Sequence, residues 1–329
     1  MTPPPSSPAP SRVRRRRLTV AVMLAMLALA ALAGGAAMAI ANNAHSASEN
    51  PAAGARVAVN STAISCPSPS LGGRLPALVS LPAGYATSRR RYPVVYFLHG
   101  LPATHLAYLN WPFVAASLDA AGRPAIVVQP QGARSDNDDR EYLNWGPREN
   151  WPEAIDQDLV RCVDARYRTI TTRFGRVLAG LSAGGYGAMN IGLRALPTFG
   201  AVESWSGYFA ATNPAGTALL DLGTPAANAA AAVPTGAALK AAVTTWRSLI
   251  AFYVGSQDGR FLTMNRDYDA ALTAARVPHT FRVYPGGHSG ALWQAHAATW
   301  LGMALDALRS EAREHALRTA ARKHTPRRG

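Results

Sequence analysis

Residues 176–190 read RVLAGLSAGGYGAMN. An apolar run ends at Gly180, and Ser182 follows with a glycine on either side, at 180 and 184. The pattern is G-x-S-x-G, and it occurs once in the chain. A buried strand before it and a helical pattern after it predict a sharp strand-to-helix turn. The flanking glycines relieve crowding there, and the serine hydroxyl stands clear above the sheet. The N–H of Ala183 then points, with the helix N-terminus, to where an oxyanion would form.

Further apolar runs predict strands at 77–81, 92–98, 125–129, 201–205, 249–254 and 280–284, beside the one at 177–181. Continuous β-branched and aromatic runs such as YPVVYFL, at 92–98, suit strands buried on both faces. Apolar residues at helical spacing predict helices over 151–167, 183–196, 262–275 and 291–316. Strands alternating with helices predict an α/β class: a mostly parallel central sheet with helices on both faces. Residues 212–243 are rich in Ala, Gly and Pro with weak patterning, and are expected to be an insertion near the sheet's upper edge.

A serine hydroxyl needs a base to act as a nucleophile. Of the eight histidines, His288 is the strongest candidate. It sits in YPGGHSG, just past the last predicted strand, where sites form in open α/β sheets. The base needs an acid to orient it. Asp258, in GSQD after the strand LIAFYV, completes the chain order Ser, acid, His. Asp221, Asp267 and Asp269 are weaker rivals, because two lie inside a helical pattern and one in a poorly patterned segment. The second oxyanion donor is expected after the strand 92–98, in His99-Gly100-Leu101-Pro102. There Gly100 lets the backbone approach and the N–H of Leu101 is the natural donor, since Pro102 has none. Trp293, close to His288 in sequence, and His99 are the candidate substrate-binding residues. Trp145 and Trp151 are weaker candidates for packing on a substrate. The acidic stretch ARSDNDDREY lacks the ligand spacing of a calcium loop, because Arg140 occupies a ligand position.

With these pieces in place, the chain resembles the α/β-hydrolase esterase family that includes S-formylglutathione hydrolases, feruloyl and acetylxylan esterases, and mycolyltransferases. The matching segments are LPAGY, YPVVYFLHGL, DLVRCVDARYRT, GLSAGGYGAMN, ESWSGYF, GSQD and PGGHSGALW, in the family's order across about residues 60–305. The resemblance implies the α/β-hydrolase fold, an acyl-enzyme mechanism without a cofactor, the triad Ser182, Asp258 and His288, and oxyanion donors at Leu101 and Ala183. Mycolyltransferases carry an arginine and acidic residues after the His-Gly-Leu element and usually a Glu in the triad. Here PATHLAYLNWP and Asp258 stand in those places. The resemblance therefore implies a serine carboxylesterase first. A cell-envelope acyltransferase and a non-catalytic binding protein are the alternatives.

The formal charge of +14 is unevenly placed. Residues 1–41 carry +5 and residues 309–329 carry +5, which leaves +4 for 42–308. A near-balanced middle argues against nucleic acid as a partner. The expected partner is a small-molecule, lipid or carbohydrate ester. Arg12 and Arg14–Arg17 precede an uncharged stretch at 18–41, the layout of an export signal. Two readings stand: a cleaved signal peptide, and an uncleaved membrane anchor with its arginines inside. Both place the rest of the chain outside the cytoplasm, secreted or in the cell envelope. The expected organisation is a signal or anchor at 1–41, a linker at 42–59, a catalytic domain at 60–308 and a basic tail at 309–329. Cys66 and Cys162, the two cysteines, are expected to pair in an oxidising compartment, tying the start of the domain to a central helix.

Overall fold

The structure is a computed structural model that describes residues 60–136, 140–212 and 217–324. The predicted signal or anchor at 1–41 and the linker at 42–59 lie outside the described residues.

Eight strands form one sheet. They are β1 (Ser61–Ser68), β2 (Gly73–Ser80), β3 (Val94–Leu98), β4 (Ile126–Pro130), β5 (Arg176–Leu181), β6 (Ala201–Trp205), β7 (Leu249–Gly255) and β8 (Thr280–Tyr284). Their order is β1-β2-β4-β3-β5-β6-β7-β8. The pairs β1–β2 and β2–β4 are antiparallel, and the pairs from β4 onward are parallel. Every residue of β3, β4, β5 and β6 is buried. Alternation explains why continuous apolar runs are needed there. Along β3, Val94, Tyr96 and Leu98 join the core on one face, while Val95 and Phe97 join the core on the other.

The helices are α1 (Phe113–Ala120), the run α2, then α3 (Ala183–Gly192), α4 (Pro225–Ala231), α5 (Gly236–Trp246), α6 (Leu262–Ala274) and α7 (Gly290–His324). Within α2, Trp151–Glu153 and Val160–Arg166 are α-helical and Ala154–Leu159 is wound as π-helix. Side chains of α2 and α3 pack on the first face, including Ile155, Leu159, Met189 and Ile191. Those of α1 and α7 pack on the second, including Val114, Leu118, Trp300 and Leu305.

The edge hairpin β1–β2 is pinned to α2. Cys66 and Cys162 form a disulfide with their Cα atoms 5.8 Å apart. One turn away, the Ser68 hydroxyl donates to Asp158 Oδ2 at 2.8 Å. The hairpin's Ser68 also caps the short turn that reverses the chain, accepting from Leu71 N–H at 3.3 Å.

Two weakly patterned segments gain definition. The weakly patterned 212–243 segment contains α4 and part of α5. Its signal was local: Thr224 accepts from Ala227 N–H at 3.1 Å, and Pro225 occupies the first helical position. The basic segment from residue 309 is helical as far as the described residues go. Helix α7 runs on to His324. Charge alternation supports this extension. Arg247, capping α5, reaches Glu311 at 3.3 Å and Glu314 at 2.9 Å, and Arg318 reaches the same two at 2.7 and 3.0 Å. Among the described residues no helix is long and apolar enough to cross a membrane.

Candidate active site

Ser182 stands between β5 and α3 with φ 52° and ψ −123°. A non-glycine residue adopts this backbone only when its surroundings impose it. Here the Ser182 N–H donates to Trp205 O at 2.9 Å, and the Ser182 carbonyl accepts from Tyr186 N–H at 3.0 Å. The flanking glycines are required by contact. A Cβ on Gly180 would lie 2.3 Å from Gly184 O, and one on Gly184 would lie 2.1 Å from Leu98 O. Strand and helix thus cross at backbone distance, and the serine is pushed outward.

His288 lies on the loop after β8. Its Nε2 is 3.0 Å from Ser182 Oγ, and its Nδ1 is 2.8 Å from Asp258 Oδ2. An ionised carboxylate only accepts, so Nδ1 carries the proton and Nε2 is free to accept from the serine. Asp258 is buried, and its Oδ1 accepts from the N–H groups of Arg260 at 3.2 Å and Phe261 at 3.1 Å. Those bonds fix the carboxylate's rotation. The loops after β7 and β8 are also tied directly, Ser256 N–H to Tyr284 O at 2.7 Å and Gln257 N–H to Gly286 O at 2.8 Å. The structure therefore brings together the three residues that the sequence separates by up to 106 positions.

Leu101 and Ala183 flank this group. A Cβ on Gly100 would fall 2.9 Å from Ser182 Cβ, so the loop carrying Leu101 passes directly over the serine. Ala183 opens α3, where an amide has no partner four residues back.

The two candidate substrate-binding residues are placed elsewhere. Trp293 is fully buried, donates from Nε1 to Ser206 Oγ at 3.1 Å, and stands edge-on to the His288 ring, 5.1 Å between centroids. It is a wall behind the imidazole. His99 is buried as well. Its Nε2 accepts from Gly132 N–H at 2.8 Å, so its proton sits on Nδ1, 2.8 Å from Gly100 O. Burial pushes its pKa down to about 4, which keeps the ring neutral. With Tyr142 OH donating to its carbonyl at 2.9 Å, His99 holds the loop that carries Leu101. Both side chains have spent their polar atoms inside the protein, because the turn beside a strand end is more crowded than its sequence suggests. Trp151 is a core residue, and Trp145 is partly exposed with Nε1 bonded to Arg140 O at 2.8 Å. Asp136 pairs with His105 at 2.9 Å, while Asp138 and Asp139 lie outside the described residues.

Phe261 escaped sequence reasoning. Its ring also packs against His288, 5.4 Å between centroids, while its amide serves Asp258. The signal available was its position three residues after the acid, at the mouth of a helix.

The pattern that defines the family described as "Putative esterase" matches residues 68–301, well over half of the chain. The chain belongs to this esterase family. Esterase Rv1288 of Mycobacterium tuberculosis (strain ATCC 25618 / H37Rv) is 28% identical over 239 residues, covering 64% of this chain and 51% of its own. The chain thus spans about half the length of the curated relatives it matches. Among solved structures, a ferulic acid esterase superposes with a TM-score of 0.62 at 25% identity, covering 75% of this chain and 98% of that one. An S-formylglutathione hydrolase from Agrobacterium tumefaciens superposes with a TM-score of 0.61 at 18% identity, covering 75% and 95%. The chain has the α/β-hydrolase fold, as the sequence resemblance implied.

Proposed function

We propose that this esterase is an extracytoplasmic serine carboxylesterase that works through an acyl-enzyme. The observation that carries this reading is the unbroken relay from Ser182 Oγ to His288 Nε2 at 3.0 Å and from His288 Nδ1 to Asp258 at 2.8 Å, mounted on a strained turn. Ser182 Oγ attacks the ester carbonyl as His288 Nε2 takes its proton. Asp258 keeps the imidazole in the correct tautomer and stabilises the imidazolium. The N–H groups of Leu101 and Ala183 stabilise the oxyanion, helped by the positive end of α3. The proton on Nε2 passes to the departing alkoxide oxygen, which leaves as the alcohol. Water, deprotonated by the same nitrogen, then releases the acid and restores Ser182.

Phe261 and Trp293, both in ring contact with His288, act as positioning residues for the imidazole. The disulfide between Cys66 and Cys162 supports an oxidising compartment. Likeness to a ferulic acid esterase favours a hydroxycinnamoyl or other small carboxylic ester as substrate.

Labelling with a fluorophosphonate, followed by peptide mapping, tests the reading. The expected adduct is on Ser182, and Ser182→Ala loses both the label and hydrolysis of p-nitrophenyl acetate while remaining folded by circular dichroism. Full hydrolysis by that variant would overturn the proposal.

A further inference from the structure

A cavity of about 260 Å³ lies at the end of the sheet opposite Ser182. It is bounded by the turn Arg173–Gly175 that leads into β5, by the end of α5 and by the later turns of α7. Arg173 precedes β5 and Ser182 follows it, so the length of the strand, ~20 Å, separates the two places. The volume falls just below the ~300–1,000 Å³ of drug-sized sites, which suits a ligand of about one ring.

Arg173 lines this cavity and is only 8% exposed. Two of its guanidinium N–H groups are satisfied inside the protein. Nε–H donates to Leu196 O at 3.0 Å, and Nη2 donates to Ser248 Oγ at 2.5 Å. Nη1 has no hydrogen-bond partner and is not sealed from solvent, so the open part of this buried side chain faces the cavity. Glu311 is the one carboxylate in the lining, and its charge is felt at Arg173. Its two oxygens are held by other arginines, Oε2 by Arg247 Nε at 3.3 Å and Oε1 by Arg318 Nη2 at 2.7 Å. Glu314, outside the lining, pairs with the same two. Among the described residues no carboxylate comes within salt-bridge distance of Arg173, and a buried charge left in this condition is stabilised by an anion that can enter.

The walls are aromatic. The Arg173 guanidinium carbon lies 5.3 Å from the ring centre of Phe174 and 5.9 Å from that of Trp246. The His315 ring lies 5.0 Å from that of Phe174. Trp246 is 37% exposed, an apolar ring kept at the cavity rather than in the core. Open N–H groups on a planar guanidinium match the oxygens of a carboxylate, and the neighbouring rings match a flat apolar body. Glu311 repels a second negative charge on the ligand, so the lining favours a monoanion over phosphate.

We propose that this cavity is a binding site, separate from the esterase centre, for a small aromatic carboxylate. The carboxylate sits on Arg173, and the ring lies against Phe174 and Trp246. The inference does not depend on the serine mechanism.

The probe is benzoate, titrated calorimetrically into the full-length protein at pH 7.5. Benzyl alcohol is the uncharged control, and inorganic phosphate is the anion without a ring. Benzoate is expected to bind at least about tenfold tighter than either. Trp246→Ala trims an exposed ring and leaves the core intact; it is expected to weaken benzoate about fivefold or more. Arg173→Met removes the charge and keeps the length of the side chain; it is expected to reduce benzoate to the affinity of benzyl alcohol. Hydrolysis of p-nitrophenyl acetate is expected to be unchanged in both variants. If Arg173→Met does not fold, Trp246→Ala decides alone. Absence of benzoate binding, equal binding of benzyl alcohol or phosphate, unchanged benzoate affinity in Trp246→Ala or in folded Arg173→Met, or lost hydrolysis in Trp246→Ala would each overturn the proposal.

Discussion

Glu203 offers a sharp test of the energetics of this core. It lies on β6, fully buried, opposite Ala179 of the strand that leads to Ser182. Its carboxyl receives Trp205 Nε1–H at 3.2 Å and Tyr253 O–H at 3.4 Å, both long for bonds to a charged oxygen. Burial therefore dominates and raises its pKa from 4.5 to about 7. The folded state then binds more protons than the unfolded state between those values. Stability contributed by this group is full below pH 4.5, and it is lost as pH rises towards 7. Integrated from pH 5 to pH 8, the loss is about 2.5 kcal/mol. Glu203→Gln keeps the volume and the hydrogen-bonding reach but cannot ionise. His99, held at about 4, changes stability in the opposite sense as pH falls below its free value, and Asp156, at about 6, changes it in the same sense as Glu203. Both contributions cancel in the difference between variant and wild type. Urea unfolding at pH 5 and pH 8, with the disulfide intact, is expected to show the variant gaining about 2.5 kcal/mol on the wild type across that span. A difference that does not change with pH would refute the reasoning, because it would mean that Glu203 has the same pKa in the folded and unfolded states and that burial does not raise it.

Four further outcomes are expected. Ser182→Ala lowers kcat for p-nitrophenyl acetate by about 10⁴-fold or more, read by single-turnover absorbance, with thermal unfolding little changed. Phe261→Leu removes one ring from His288 while leaving the backbone bond to Asp258; kcat is expected to fall about tenfold with KM nearly constant, and a change confined to KM would show that the ring contacts substrate instead. Gly184→Ala places a methyl 2.1 Å from Leu98 O, so both activity and stability fall, the latter by at least ~2 kcal/mol in urea unfolding. Replacing Cys66 and Cys162 together by serine frees a loop spanning 96 positions and lowers stability by about 2–5 kcal/mol, while kcat at low temperature holds, because the bridge joins β1 to α2 and not the loops of the site.

The parts of the fold most readable in the sequence are those where one physical demand dominates. β6 and β8 match the residues expected from their apolar runs, and β3, β4, β5 and β7 differ by a residue or two at their ends. β1 was invisible because STAISCPS is an edge strand, half exposed, with no continuous apolar run to betray it. α1 and α4 are short, and their burial is set by what they pack against rather than by their own period. Within the site, the convergence of Ser182, Asp258 and His288 was readable because a nucleophile turn, chain order and loop position all constrain where they lie. Trp293 and His99 were misplaced for a common reason. Nearness in sequence to a reacting residue says that a side chain is close, but only packing decides whether it faces substrate or supports the residue from behind.

The geometry of the site is an extension of the sheet. β7 and β8 pair in parallel with Gly255 opposite Tyr284, so the loops bearing Asp258 and His288 leave the sheet at the same level. Past the strand ends the ladder continues, since Ser256 and Gln257 donate to Tyr284 and Gly286. The same happens at the neighbouring seams: Ser182 N–H reaches Trp205 O at 2.9 Å, and Ser206 N–H reaches Tyr253 O at 2.7 Å. Ser206 has φ 48°, and its Oγ accepts from Trp293, whose ring stands against His288. Backbone bonds therefore link each strand end in turn, from the serine across β6 and β7 to Gly286 in the loop that carries the histidine. A slip of one residue at any of these seams would move a side chain by ~3.3 Å and turn it to the other face. A hydrogen bond tolerates only a few tenths of an ångström. The 3.0 and 2.8 Å distances at His288 are thus set by strand register, which is fixed in turn by cores on both faces of the sheet.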